Sequence, residues 1–348
     1  MKEMSFAEAI SDATVLAMKK HLNVYLLGIG LDYSSGVFGT TSEAFKLFGR
    51  ERVLDTPAME NALTGIAAGA SLCGMRPVVV HARNDFMFLA LDQVLNVLAK
   101  WYYMFDGNAS SMPVVIRAII GRGWGQGATH SQSIQSAIAH FPGIRVVMPS
   151  RPQDAKGMLL SALESPDPVL ILEHRNLYSI VEGVEEGWAH TSLSGAEVVQ
   201  EGCDITVVAS SVCVKEAILA GKDAEKVGIK IEVIDVRSLQ PLDSKTILNS
   251  VKKTQRLIIM DTSWNPYGLG SEICAILLEC GVQLRSKVIR LGQALTPAPV
   301  SRPLEDAHYP TANSLLESIH SLLESEADLQ SLEVSNLPRM SDGFIGPY

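Results

Sequence analysis

The chain has 348 residues, 47% of them hydrophobic and 19% charged, with a formal net charge of −9. That length accommodates two α/β domains with full cores, and the balance is that of a globular chain, neither disordered nor membrane-embedded. The acidic excess and the lack of a basic cluster exclude a nucleic-acid partner. Cys73, Cys203, Cys213, Cys274 and Cys280 are scattered and form no Cys-x-x-Cys pair, which argues for reduced thiols and a cytoplasmic setting. Glu3, Glu8 and Asp12 interrupt the N-terminal stretch, which speaks against a secretory signal. No apolar run has the length of a membrane span.

Ser5 and Glu8 have capping-box spacing, and Phe6, Ile10, Val15 and Met18 recur at helical intervals, predicting a helix over 5–20. Short apolar runs at 24–27, 78–80, 114–116, 146–148 and 169–172 then alternate with helix-like segments at 59–73, 87–104, 131–140 and 153–164. Such alternation predicts a parallel sheet covered on both faces. The pattern loosens after residue 181. A second series follows, with strands at 205–209, 231–236, 257–261 and 288–291 and helices near 213–227, 268–281 and 313–324. The expected fold class is α/β, two doubly wound domains: 1–185, a linker at 186–203, a second domain at 204–328, and an extended tail at 329–348.

Chemistry-bearing residues gather in the first domain. Residues 55–60 read Asp-Thr-Pro-Ala-Met-Glu, placing the Glu60 carboxylate where a buried strand gives way to a helix. An acid there suits the helix dipole, and it is equally a place for a proton-relaying carboxylate. The following helix carries Gly65 and Gly69 among alanines, a face fit for tight packing within the domain or between subunits. Gly121, Gly123, Gly125 and Gly127 alternate after a strand ending near residue 120. Such a loop is flexible, or brings backbone donors close to an anion; it is no Walker loop, since no Gly-Lys-Ser/Thr follows. It leads to His130-Ser131-Gln132, whose imidazole, expected at a helix start, can donate to a carboxylate or a developing oxyanion.

The hexapeptide, the segment Asn84-Asp85-Phe86 with Asp92-Gln93, and His130-Ser131-Gln132 together resemble the beta subunit of the decarboxylating component of thiamine-diphosphate-dependent 2-oxoacid dehydrogenases. Pyruvate and branched-chain enzymes are familiar members, and transketolase is a more distant relative. In the second half, residues 235–243 and Gly268-Leu-Gly-Ser-Glu272 fit the same family. The resemblance implies a thiamine-pyrimidine-binding domain with a parallel sheet, then a transketolase-like C-terminal domain. It implies that Glu60 hydrogen-bonds the cofactor's pyrimidine nitrogen, that Phe86 packs on that ring and that His130 acts in catalysis. No Gly-Asp-Gly triplet occurs, so magnesium and the diphosphate are expected on an alpha-type partner, in a two-plus-two heterotetramer. The acyl group would pass to a lipoyl acyltransferase. A potassium site through Ala162, Leu163 and Asp167 is also implied, although Ser165 stands at its usual acidic position.

Several positions depart from the family pattern. Ile29-Gly30 replaces an acidic pair, residues 80–84 read Val-His-Ala-Arg-Asn, and His174-Arg175-Asn176 follows Glu173. His81 and Arg83 either line a pocket for a polar or anionic substrate or face a subunit contact. Two alternatives follow: an acyloin or ketol transferase acting on a polar or sugar substrate without a lipoyl partner, and a non-catalytic structural subunit.

Overall fold

The structure, a computed structural model, describes residues 1–33, 36–108, 110–122, 125–323 and 337. Gly123 and, apart from Leu337, the expected tail at 329–348 lie outside the described residues. Residues up to Leu193, save Gly125–Ala128, cluster as one unit; Gly125–Ala128 and the residues from Ser194 onward form a second.

In the first unit β1 (Lys2–Ser5) leads into α1 (Phe6–Lys20) through the expected capping box. Glu8 N donates to Ser5 Oγ (3.2 Å) and Ser5 N donates to Glu8 Oε2 (2.7 Å). There follow β2 (Val24–Gly28), α2 (Ser42–Phe48), β3 (Val53–Asp55), α3 (Glu60–Leu72), β4 (Arg76–His81), α4 (Trp101–Met104), β5 (Val115–Ile120), α5 (Gln135–Ala139), β6 (Arg145–Val147), α6 (Pro152–Glu164), β7 (Val169–His174) and β8 (Val181–Val184). Strands β2 to β7 are parallel and run in the order β6-β7-β5-β4-β2-β3. Every residue of β2, β5 and β7 is buried, so both faces are covered, and this is why these strands read as continuous apolar runs rather than alternating ones. At Gly28 the chains approach so closely that a Cβ would meet the Val80 carbonyl. The antiparallel pair β1–β8 has no apolar signature and went unread in the sequence.

Two helix expectations fail in instructive ways. The span 87–104 is not one helix: a 3-10 segment (Asn84–Ala90), a π-helix (Asp92–Leu98) and α4 succeed one another. The amphipathic period survives, burying Val94, Leu95 and Leu98, but pitch is set by packing against α3, which periodicity does not encode. The span 131–140 is helical only at α5. Gln132 N donates to Asp85 Oδ1 (3.2 Å) and its carbonyl accepts from Asn84 Nδ2 (3.1 Å). Neither group is left for a helix ladder, so His130 sits on a loop and does not head a helix.

The second unit repeats the architecture with β9 (Glu197–Gln200), β10 (Ile205–Ala209), α7 (Val212–Glu225), β11 (Ile231–Asp235), β12 (Ser238–Gln240), α8 (Ser244–Thr254), β13 (Leu257–Trp264), α9 (Leu269–Glu279), β14 (Ile289–Gln293), α10 (Arg302–His308) and α11 (Ala312–Leu323). Its sheet runs β14-β13-β10-β11-β9, parallel except for β9. Strand β9 lies within the stretch expected to be linker; its four residues are half-buried and give no period-2 signal. Faces of α7 and α11 close one side over β10, β11 and β13.

Ser211, between β10 and α7, adopts φ 54° and ψ −129°, a region costly to a residue with a Cβ. Its hydroxyl is buried with no hydrogen-bond partner. Ser211→Gly removes both costs and is expected to stabilise the protein by about 1 kcal/mol. A rise of a few degrees in the melting midpoint checks this; a fall would show that the hydroxyl contributes.

Candidate active site

The site is built at the carboxyl ends of the parallel strands, where open α/β sheets hold their ligands. Asp55, the last residue of β3, accepts at Oδ1 from Gly30 N (2.5 Å) and Leu31 N (3.0 Å). Thr56 donates to the Gly28 carbonyl from both N and Oγ1 at 3.0 Å. The first half of the hexapeptide thus ties the exit of β3 to that of β2. Its second half starts α3, with Glu60 as the first helical residue and only 5% exposed. Among the described residues its carboxylate has no hydrogen bond or ion pair. An acid at this place suits the helix N-terminus, and with no partner of its own it is also available to a ligand's donor. Sequence reasoning singled out Glu60 and missed the role of Asp55, though it opens the same motif.

Phe86 and His130 are brought together: their rings lie 5.3 Å apart between centroids, edge to face at 86°. Phe86 keeps 40% of its surface exposed. Thr129 Oγ1 lies 2.8 Å from His130 Nδ1. Asp85, one residue before Phe86, accepts at Oδ1 from the Gln132 backbone (3.2 Å) and side-chain amide (3.0 Å). Burial pushes the Asp85 carboxyl above its usual range, opposed by these bonds and by the charge of Arg175. No hydrogen bond or ring contact among the described residues joins Glu60 to either Phe86 or His130.

His81 and Arg83 lie at the end of β4, and both are buried. Burial drives the His81 imidazole down to about 4, and its Nε2 has no partner. Arg83 donates from Nη1 to the Ala82 carbonyl (2.6 Å), lies 5.6 Å over the Phe38 ring and leaves Nε unpartnered. Burial lowers its guanidinium while Asp85 opposes the shift. Phe86 N donates to the Arg83 carbonyl (3.2 Å), but neither the His81 nor the Arg83 side chain makes a hydrogen bond or ring contact with Phe86 or His130 among the described residues.

Sequence reasoning did not foresee the network beneath. Arg117, wholly buried in β5, donates from Nε and Nη2 to Glu173 in β7 (2.6 and 2.9 Å), and from Nη2 to Thr40 Oγ1 (3.0 Å). Tyr178 Oη donates to Glu173 Oε2 (2.7 Å). Burial alone would lower the Arg117 guanidinium, and pairing with Glu173 outweighs it. The Tyr178 hydroxyl is driven well up by burial and by Glu173. Next to it the His174 imidazole falls to about 3 through burial and the charges of Arg175 and Arg122. A lone Arg in an apolar strand, answered by a Glu at the end of another, was the available signal.

The oxygens expected for potassium already have partners. The Ala162 carbonyl accepts from Ser165 N (3.2 Å) and Leu163 from Arg76 Nη1 (2.6 Å), while Asp167 pairs with Arg145 (3.0 Å). Arg76 Nη1 also donates to the Ser165 carbonyl (3.1 Å), so a guanidinium supplies the positive charge at this turn. No cluster of His, Cys, Asp or Glu fit for a metal exists among the described residues. No helix among them is long and apolar enough to cross a membrane.

Comparison with known proteins accords with this geometry. The family model described as transketolase, pyrimidine binding domain, matches residues 2–180, and that of transketolase, C-terminal domain, matches residues 194–315. The fold is shared with a solved structure titled split gene transketolase, inactive beta4 tetramer, at TM-score 0.75 and 23% identity, over 92% of this chain and 98% of that one. This defines a transketolase-like chain with a pyrimidine-binding domain. The chain is 36% identical to the acetoin:2,6-dichlorophenolindophenol oxidoreductase subunit beta of Cupriavidus necator, over 89% of this chain and 95% of that one. It is 35% identical to the mitochondrial pyruvate dehydrogenase E1 component subunit beta of Drosophila melanogaster, over 91% and 88%. It belongs to the family of beta subunits of thiamine-diphosphate-dependent 2-oxoacid dehydrogenases, oxidoreductases of the decarboxylating type.

Two outcomes follow from these surroundings. The folded pKa values of His81 and His174 lie below the ordinary histidine value of 6.5, so as pH falls below that value the unfolded chain takes up protons the folded chain refuses. Stability is then lost between about pH 6.5 and the folded values, at up to about 1.4 kcal/mol per pH unit for each histidine. His81→Phe should flatten this dependence in pH-dependent urea melts; an unchanged slope would show His81 to be solvated. Exchanging potassium for sodium should leave the melting midpoint unmoved, whereas Arg76→Met lowers it. A midpoint that rises specifically with potassium would contradict the role given to Arg76.

Proposed function

We propose that this chain supplies the pyrimidine-side half of a thiamine diphosphate site, completed by an alpha-type partner that carries a Gly-Asp-Gly motif and magnesium in a two-plus-two heterotetramer. The observation that carries the reading is Glu60: a nearly enclosed residue whose carboxylate has no partner among the described residues, heading α3 inside a matched pyrimidine-binding domain. An acid so placed is available to a donor from outside. Bound thiamine diphosphate supplies the carbon nucleophile and the electron sink that a 2-oxo acid needs to lose carbon dioxide. Glu60 then hydrogen-bonds the pyrimidine ring nitrogen and holds or releases a proton there. Phe86, with a partly exposed ring beside His130, offers the flat apolar surface for that ring. His130 donates from its imidazole to the substrate carboxylate or to the oxyanion that develops at the 2-oxo carbon. The acyl group passes to a lipoyl carrier.

His81 and Arg83, with Arg175 and Arg122 at the same edge of the sheet, set polar and cationic groups among the carboxylates of Asp85 and Glu173. This supports a substrate bearing a polar or anionic group beyond the 2-oxo acid itself. A second reading, cleavage or formation of an acyloin without a lipoyl acceptor, draws support from the relative named for acetoin.

Glu60→Gln keeps shape and removes the acid. In the purified complex with its partner this variant is expected to lose turnover by about a thousandfold or more, the upper end of what general acid–base catalysis contributes, with assembly by native mass unchanged. Unaltered turnover would eliminate the role of Glu60. A panel of 2-oxo acids and acetoin, assayed with a lipoyl domain and with an artificial electron acceptor, separates the two readings. Formation or cleavage of an acyloin with no acylation of the lipoyl domain favours the second.

A further inference from the structure

Between β5, ending at Ile120, and α5, beginning at Gln135, the chain has no strand or α-helix among its described residues. His130 lies in that stretch, so no ladder fixes it. Five hydrogen bonds made by the side chains of Arg175, Asp85 and Asn84 take the ladder's place. Arg175, fully buried just after β7, donates from Nη2 to the His130 carbonyl (2.8 Å) and from Nε to the Ile120 carbonyl (3.5 Å). Asp85 Oδ1 accepts from Gln132 N (3.2 Å) and Nε2 (3.0 Å). Asn84 Nδ2 donates to the Gln132 carbonyl (3.1 Å). The peptide groups on both sides of Ser131 are therefore held, one side from β7 and the other from the turn after β4.

That turn also carries Phe86, whose ring meets the His130 ring. The restraint on the loop and the ring it faces thus have one origin, and displacing Asp85 would displace both. The charge of Arg175 acts on Asp85 across the loop, so the two holding groups attract each other through the segment they hold. A surface tether would not need burial. Arg175 is wholly and Asp85 almost wholly removed from water, where hydrogen bonds involving charge are strong and breaking them is costly.

We infer that Asp85 and Arg175 are positioning residues, forming a brace from two strand ends that sets the place and orientation of the His130 imidazole. The inference rests on the reading that His130 serves the reaction. It assigns to this chain a means of fixing the segment after the 3-10 turn at Gly127–Thr129 through side chains, and it gives purpose to the buried cation after Glu173.

The test uses the assembled complex with its partner. Asp85→Ala and Arg175→Met are expected to lower kcat by about tenfold to a hundredfold, the cost of misplacing a catalytic group by about an ångström, with thiamine diphosphate affinity little changed in Arg175→Met, which leaves the turn carrying Phe86 untouched. Asp85→Asn, which keeps the Oδ1 acceptor, should recover most of that turnover, whereas a purely ionic role would leave it as impaired as Asp85→Ala. In a His130→Ala background, Asp85→Ala should add little further loss, because coupled residues are non-additive. A full additional tenfold loss in that background, or an Asp85→Asn variant that folds but matches Asp85→Ala, would overturn the inference while leaving the role of His130 intact. Wild-type turnover in His130→Ala alone would remove both.

Discussion

The organisation of the first unit turns on the placing of one acid. Glu60 heads α3, only 5% exposed as a residue, and its carboxylate makes no hydrogen bond or ion pair among the described residues. The hexapeptide around it explains how it stays there. Asp55 and Thr56 pin the strand exit to the loop after β2, proline restricts the following turn, and the unfilled helix N-terminus favours a negative charge. These local devices hold the acid in place without satisfying it. Family membership and the proposed sharing of a cofactor between unlike subunits give that incompleteness a function.

The second constraint is the pairing of Arg117 with Glu173 inside the sheet. A buried pair of this kind is weak evidence for stability, since desolvation offsets attraction, but one tied by several further bonds admits few alternative arrangements. Thr40 and Tyr178 extend it, while Arg117 Nη1 keeps no partner. It therefore joins β5 and β7 at the point where the glycine-bearing loop leaves one strand and Arg175 follows the other. The site's mobile-looking composition, rich in glycine, is thus bounded by groups that cannot move independently.

Much of this was legible in the residues. Fully buried parallel strands announce themselves as apolar runs, and the Ser5–Glu8 box marks a helix start by side-chain chemistry alone. Glu60 was legible because the whole motif is contiguous. What escaped was whatever depends on residues distant in sequence. The π-helical stretch at Asp92–Leu98 keeps an amphipathic period while changing pitch, and the loop before α5 is non-helical because Asn84 and Asp85 claim the backbone of Gln132. Nothing near Arg76 in sequence signals that it donates to carbonyls at the end of α6. Strand β9 is short and half-buried, so composition read it as linker.

The central claim is that this chain contributes one half of the cofactor site and lacks the anchor for the other. Calorimetric titration of thiamine diphosphate with magnesium into the isolated chain, and into its complex with the partner, tests it directly. The half-site predicts no measurable binding to the chain alone and one cofactor per alpha–beta pair in the complex. Tight, magnesium-dependent binding to the isolated chain would contradict it.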